Sequence, residues 1–354
     1  MILPSTYAGA LLLIILSMIC WGSWANTMKL TGRWRFELFY FDYSLGVLLV
    51  AILAAFTFGS LGVELSVVDN LMITGKRQMA YAFAGGVVFN LANMLLVAAI
   101  AVAGLAVAFP VGIGLAMVIG VVWNYLLNPQ GNPVMLFTGS GLVVAAIIVD
   151  SLAYSAHERL KARNAEPAPK AAVTPRGRQQ QAKPAGSGVK GIVLSLVAGL
   201  LMGSFYPLVE ISKAGEVGLQ PYTIALIFGI AVLLSTFVFN LFFMNMPVQG
   251  DPVSMARYFK GTRSQHLLGI LGGAIWCTGT VANFVAASAP PSVNVGPAIS
   301  YALGQGATAI SALWGLLVWK EFAGADPKTR NLIILMMILF LAGLVTISLA
   351  PKFI

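Results

Sequence analysis

Uncharged polar side chains recur at helical spacing inside long apolar runs of this sequence. Asn90 and Asn93 are three residues apart, and Tyr301 and Gln305 are four apart, so each pair shares one helix face. A polar side chain in lipid needs a partner, water or a ligand. Ten such residues are candidates for contact with a solute: Trp24, Asn26, Asn90, Asn93, Tyr206, Trp276, Thr280, Asn283, Tyr301 and Gln305.

The chemistry of this set favours a neutral polar solute. Amides and hydroxyls donate and accept hydrogen bonds without charge, and aromatic faces stack on flat or CH-rich molecules. A sugar or a urea-like heterocycle has both properties. A lipophilic cation would need a carboxylate deep in the first apolar run, which holds none. The alternative is that each amide joins two helices, a bond worth about 1 kcal/mol or less in membranes.

Ionisable residues lie near the ends of the apolar runs. Asp42, Asp150 and Glu210 are expected to be solvated or paired, and Lys320-Glu321 to anchor a helix at the interface. His157 and His266 are expected to be interfacial for the same reason. The isolated Cys20 and Cys277, and the absence of nucleotide-binding, zinc or nucleophile motifs, predict no enzyme, no metal and no cofactor.

The composition is that of a polytopic membrane protein. Of 354 residues, 58% are hydrophobic and 9% charged, whereas soluble proteins carry about a quarter charged residues. The apolar runs predict ten membrane-spanning helices and an all-α fold. The predicted spans are Tyr7–Met28, Phe39–Phe58, Ala80–Val102, Leu105–Leu127, Val134–Ala153, Gly191–Ile211, Tyr222–Met244, His266–Ser288, Val293–Val318 and Asn331–Leu349.

A ladder of small residues appears twice and predicts an internal duplication. Such a ladder forms a narrow seam that another helix can approach closely. Its two copies, 192 residues apart, are Gly104, Ala108, Gly112, Ala116 and Gly120, then Gly296, Ser300, Gly304, Thr308 and Ala312. Gly22-Ser23-Trp24 also matches Gly203-Ser204-Phe205, and Gly85-Gly86 matches Gly272-Gly273. Because each half has five spans, the halves enter the bilayer from opposite sides and form inverted repeats.

A basic linker separates the two halves. The predicted organisation is a first repeat at 1–156, a disordered linker at 157–190 and a second repeat at 191–354. The linker holds eight Lys/Arg against two Glu. The positive-inside rule then predicts a cytoplasmic membrane protein with a cytoplasmic linker and both termini outside. We expect the basic charge to face the lipid bilayer and not nucleic acid.

Four segments carry a resemblance to a known family: CWGSWANTMKLT, FDYSLG, NLANMLLVAAIAVAGLAVAFPVGIGLA and SYALGQG…LWGLLVWKEF. They resemble the glucose/ribose porter branch of the drug/metabolite transporter superfamily, in whose neighbourhood the plant ureide permeases lie. The resemblance implies a ten-helix inverted repeat and secondary uptake of a small solute, coupled to a proton or sodium ion. The linker lacks the Walker-like motif of the plant ureide permeases, which places a sugar before a ureide as the expected solute.

The leading hypothesis is therefore a secondary transporter that moves a neutral polar solute by alternating access. A sugar is the first expectation and a ureide or purine derivative the second. Two other classes stay open at this point: a membrane sensor or scaffold that does not transport, and an exporter of amphipathic compounds.

Overall fold

The computed structural model describes residues 1–32, 34–61, 65–103, 105–164, 187–248, 250–293 and 295–353. These ranges are helical, with no strand among them. The α-helices are α1 Tyr7–Ser23, α2 Ala25–Leu30, α3 Phe36–Phe56, α4 Val67–Ile73, α5 Lys76–Ala103, α6 Leu105–Leu127, α7 Pro133–Asn164, α8 Ser187–Ser212, α9 Pro221–Asn245, α10 Arg263–Ala286, α11 Pro297–Gly304, α12 Ala307–Leu313 and α13 Pro327–Leu349.

The predicted all-α polytopic fold is confirmed. Within the described ranges, nine helical segments are long and apolar enough to cross a membrane, and α6 occupies the position of the tenth predicted span. We call the side on which α7 ends and α8 begins the linker face. Both chain termini lie at the opposite face, where the Tyr7 hydroxyl donates to the Ser348 carbonyl.

The linker starts later than the sequence predicts. Helix α7 continues to Asn164, beyond the predicted end at Ala153, because the charged residues after 157 continue a helix that emerges from the apolar layer. Helix α8 begins at Ser187, inside the predicted linker. Residues 165–186 lie outside the described ranges, as does Gly104 of the first ladder. A further short helix, α4, was absent from the prediction.

Two of the membrane-crossing segments are discontinuous. The first changes from α1 to α2 at Trp24, and the ninth changes from α11 to α12 at Gln305 and Gly306. The second ladder therefore runs across a break and not along one helix. Broken helices at membrane depth are tolerated where they line a cavity or a binding site.

The helix contacts repeat between the two halves. Helix α1 packs on α10 as α8 packs on α5, and α3 packs on α10 as α9 packs on α5. Helix α1 also contacts α11 and α12 as α8 contacts α6, while α7 pairs with its own counterpart α13. This pattern is what a twofold axis between inverted repeats produces. Each half inserts its first helix into the other half, so the repeats interlock.

Glycines let these helices meet at backbone distance. A Cβ on Gly273 of α10 would lie 1.9 Å from the Tyr43 carbonyl oxygen of α3. On the ladder of α6, Gly112 lies against α8, and a Cβ on Gly120 would lie 2.3 Å from the Tyr301 ring. In the second ladder Gly304 lies against the Trp21 ring. The other ladder positions include Ala108, Ala116, Ser300 and Ala312, which are buried, with Thr308 lining a cavity and Gly296 beside Gln130.

We predict opposite effects from the same substitution at two helical glycines. Gly273→Ala should lower the melting temperature, because the added methyl overpacks the α3–α10 contact, at a cost of about 1–3 kcal/mol. Gly141→Ala should raise it slightly, since a Cβ there meets nothing within 4 Å and alanine favours the helix by about 1 kcal/mol. Thermal unfolding in detergent measures both. Equal melting temperatures for the two variants would contradict this account of the contact.

Candidate solute-binding cavity

One cavity of about 580 Å³ enters the helical bundle from the linker face. Its mouth is formed by the linker-face ends of α2, α7 and the ninth crossing segment, and its inner end reaches both helix breaks. This volume lies within the range of small-molecule sites, about 300–1,000 Å³.

The deep end of the cavity lies where the two repeats meet. When the two repeats are aligned, Trp24 corresponds to Phe205, Phe89 to Trp276, and Ile113 to Gln305. We call the eight residues at this depth the central floor: Trp21, Trp24, Phe89, Ile113, Met202, Phe205, Trp276 and Gln305. They form four pairs related by the repeat, and every member lines the cavity. The twofold axis therefore passes through the floor.

Aromatic rings dominate the central floor. Phe89 stacks on Trp276 with ring centroids 4.3 Å apart and planes 24° apart. Trp21 lies nearly parallel to Trp276, at 6.4 Å and 16°. The Trp21 indole N–H donates to the Thr280 hydroxyl over 3.1 Å, which fixes the ring. The floor is thus a rigid aromatic surface that suits a flat solute.

Several polar groups lining the cavity have capacity to bind a solute. The Asn93 side-chain nitrogen donates to the Tyr40 hydroxyl over 3.0 Å, and its oxygen has no partner among the described residues. The Gln305 amide and the indole N–H groups of Trp24 and Trp276 likewise have no hydrogen bond to the part of the chain that the structure describes. Together they offer donors and acceptors around the aromatic floor.

Of the ten residues that sequence analysis selected, Trp24, Asn26, Asn93, Trp276 and Gln305 line the cavity. Asn26 is already engaged, because it accepts from the Trp319 indole over 2.6 Å and donates to the Ser23 carbonyl over 2.8 Å. Asn26 therefore ties the α1–α2 break to the end of the ninth segment and presents little free hydrogen-bonding capacity.

The other five selected residues are buried outside this cavity, so their contact with a solute stays a prediction. Asn90 faces α9, where it donates to Val232, Ser235 and Thr236. The Tyr301 hydroxyl donates to the Ala116 carbonyl over 3.1 Å. Tyr206, Thr280 and Asn283 lie between the floor and the opposite face, in contacts described below. Helical spacing predicted which face of each helix is polar, but not what that face meets.

Glu321 and His157 line the mouth of the cavity, although sequence analysis placed them only at the membrane interface. Glu321 pairs with Lys29 and accepts from the Tyr154 hydroxyl, so it joins three segments and is not the simple interfacial anchor that we predicted. His157, predicted to be interfacial, is 2% exposed, and neither ring nitrogen has a hydrogen-bond partner among the described residues. Glu321 follows the last helical turn of the ninth crossing segment and His157 lies within α7, and sequence alone cannot separate a cavity rim from a solvated surface at such positions.

A second polar cluster joins α3 to α10 outside the cavity. His266 Nδ1 lies 2.7 Å from Asp42 Oδ2, and the Tyr258 hydroxyl donates to Asp42 Oδ1 over 2.7 Å. Asp42 is 3% exposed, so this carboxylate is buried with two partners. Burial, followed by the hydrogen bond to Asp42 and the charge of that residue, raises the pKa of Tyr258. The hydroxyl therefore remains a donor.

Comparison with known proteins gives consistent matches to one kind of transporter. The ureide permease family model matches residues 39–185. Ureide permease 1 of Arabidopsis thaliana is 25% identical over 380 aligned residues that cover 95% of each chain. Probable ureide permease A3 of Vigna unguiculata is 30% identical over 42% of this chain and 41% of its own. A crystal structure with 15% identity matches 98% of both chains with a TM-score of 0.60, which shows a shared fold.

The fold, the cavity and these relatives define the chain as a multi-pass membrane transporter of small solutes. It is a permease-like protein and not an enzyme, since the proteins it resembles over nearly its whole length are permeases. The matches support the ureide permease part of the resemblance and do not extend to the glucose/ribose porter branch.

We predict that Gln305 contributes to solute uptake and that Asn90 contributes to the stability of the fold. Gln305→Ala should weaken uptake about tenfold to a hundredfold, because the solute loses a donor and an acceptor worth about 1–3 kcal/mol. The melting temperature should not change. Asn90→Ala should lower the melting temperature and leave uptake per folded protein near wild type, since Asn90 bonds only to α9 in the described structure. Proteoliposome uptake and thermal unfolding test both. Wild-type uptake by Gln305→Ala would remove this residue from the site.

Proposed function

We propose that this protein is a secondary transporter of a ureide or a related nitrogen heterocycle, such as a purine derivative, and that it works by alternating access. The observation that carries the proposal is the central floor, where stacked aromatic rings adjoin uncharged donors and acceptors that have no partner among the described residues. A cyclic ureide is flat and alternates N–H with C=O groups. It can therefore stack on the floor and form hydrogen bonds with a side-chain amide at the same time.

The geometry supports a ureide better than a sugar. A sugar presents many hydroxyls, each of which loses water on entering the cavity and needs a replacement hydrogen bond. Few uncharged polar groups without a partner in the described structure lie at or beside the floor, namely the Gln305 amide, the Asn93 side-chain oxygen and two indole N–H groups, while aromatic rings surround them. The names of the relatives agree with this preference, and we therefore place the ureide before the sugar, which sequence analysis had placed first.

The proposal includes the orientation of the protein in the membrane and the side to which its cavity opens. If the linker face is cytoplasmic, as the positive-inside rule predicts, the structure is an inward-open state with its termini outside. The closed opposite face and the twofold relation of the floor are the features expected of one end state of an alternating-access cycle. A sensor or scaffold would not require a central floor lined symmetrically by both repeats.

We expect a cyclic ureide to stabilise the purified protein against heat, because a ligand that binds the folded state raises the melting temperature by mass action. Hydantoin should raise it in a saturable manner, whereas 1,3-dimethylhydantoin, which has the same ring without N–H donors, should have much less effect. Glucose and ribose serve as the sugar comparison. Stabilisation by the sugars alone would overturn the ureide assignment and restore the sugar hypothesis.

We further propose that the coupling ion is a proton carried by Asp42 and His266. Their 2.7 Å contact joins a buried carboxylate to an imidazole, whose ring nitrogens can donate or accept a proton. Sodium requires a shell of oxygen ligands, whereas both Asp42 oxygens here face hydrogen-bonding partners, His266 and Tyr258. The pair lies on α3 and α10, and α10 also carries Trp276 of the floor, so protonation can bias the helix that contacts the solute.

We predict that Asp42→Asn abolishes accumulation driven by a pH gradient in proteoliposomes but retains exchange of solute between the two sides. The amide cannot take up the coupling proton, while the solute cavity is untouched. Glu210→Gln is the matched control, because Glu210 lies near the other end of the bundle and pairs with Lys213. It should accumulate solute like wild type. Accumulation by Asp42→Asn would rule out this proton site.

A further inference from the structure

A buried polar cluster closes the protein between the central floor and the face opposite the linker. Asn283 of α10 is fully buried and contacts three other segments. Its amide nitrogen lies 3.2 Å from the Ser300 carbonyl and 3.3 Å from the Ser17 hydroxyl, and its amide oxygen accepts from Tyr206 over 2.6 Å. We call Asn283, Ser17, Tyr206 and Ser300 the polar latch. It joins α1, α8, α10 and α11.

The repeat relates this closed region to the wall of the open cavity. With Gly85-Gly86 matched to Gly272-Gly273, four residues of α5 correspond to four of α10. The α5 residues Asn93, Leu96, Val97 and Ile100 all line the cavity. Their α10 counterparts are Thr280, Asn283, Phe284 and Ala287, which are buried and do not line this cavity. One wall is therefore open and the equivalent wall is closed.

We infer that Thr280, Asn283, Phe284 and Ala287 form the wall of a second solute vestibule, which opens to the face opposite the linker and which the polar latch holds shut in this structure. The inference rests on the proposed alternating access. The floor is common to both vestibules, because its four residue pairs exchange under the twofold axis. Three residues selected from sequence, Tyr206, Thr280 and Asn283, then contact the solute in the other half of the cycle.

The latch has no polar equivalent on the linker side. The repeat counterparts of Asn283, Ser17, Ser300 and Tyr206 are Leu96, Ala198, Ala108 and Ala25. Opening the far vestibule therefore breaks the hydrogen bonds of the latch, whereas these four counterpart positions on the near side offer no side-chain hydrogen bonds to replace them. The amide and hydroxyls released by the latch are the groups that a solute with N–H and C=O groups can bind. A solute arriving from the far side can thus replace the broken bonds.

Cysteine labelling in nanodiscs, which expose both faces, tests the inference without a solute. In a background carrying Cys20→Ala and Cys277→Ala, Ala287→Cys reports the far wall and Val97→Cys the near wall. Asn283→Leu, which installs the counterpart residue, should raise the rate of labelling at position 287 by a membrane-impermeant maleimide about tenfold. The rate at position 97 should fall. Ser17→Ala with Ser300→Ala removes two hydroxyls of the latch, that of Ser17 and that of Ser300, which donates to the Asn283 side-chain oxygen over 3.2 Å, and should shift both rates in the same directions.

Asn90→Leu is the matched control, because Asn90 is an equally buried asparagine with three acceptors outside the latch. It should change neither rate. Unchanged labelling in both latch variants would show that the cluster does not hold the far vestibule shut. Faster labelling at both positions would indicate general loosening of the fold. Either result would overturn the inference. Because no solute is used, failure of ureides to bind would leave a reciprocal shift intact and would count against the substrate class alone.

Discussion

The structure depends on the high cost of leaving a polar side chain at membrane depth without a hydrogen bond. An amide among apolar helices is stable where it meets a protein partner or water in a cavity. Asn90 and Asn283 each contact three protein partners, whereas Gln305 faces the cavity at the central floor. The ten residues with similar spacing thus divide into helix-joining groups and groups available to a solute.

The packing of the two interlocked repeats sets where these two groups of residues lie. Each half inserts its first helix into the other, and backbone contacts at residues such as Gly46 and Gly273 hold α3 against α10. The twofold axis passes through the aromatic floor, so both repeats contribute equally to the deepest part of the cavity. The repeats differ in polarity away from the floor, since Asn283 of α10 corresponds to Leu96 of α5.

Much of the fold could be predicted from residue patterns, and less of the site. Runs of about 20 apolar residues identify spans because a helix must cross the hydrocarbon layer. The predicted positions agree closely, and the main difference is at α7, where a charged sequence continues the helix beyond the bilayer. Gln305 and Tyr301 show the limit for the site. They are four residues apart, but a helix break after Gly304 exposes one to the cavity while the other packs on α6.

The sequence by itself determined the all-α membrane fold, the duplication and the uncharged polar chemistry, because these follow from composition and periodicity along one helix at a time. Only the tertiary structure decided which amides face the cavity, which ones close the opposite end, and that Glu321 and His157 lie at the mouth. Those outcomes depend on which helices approach one another across the chain. The spacing within a single helix carries no information about its neighbours.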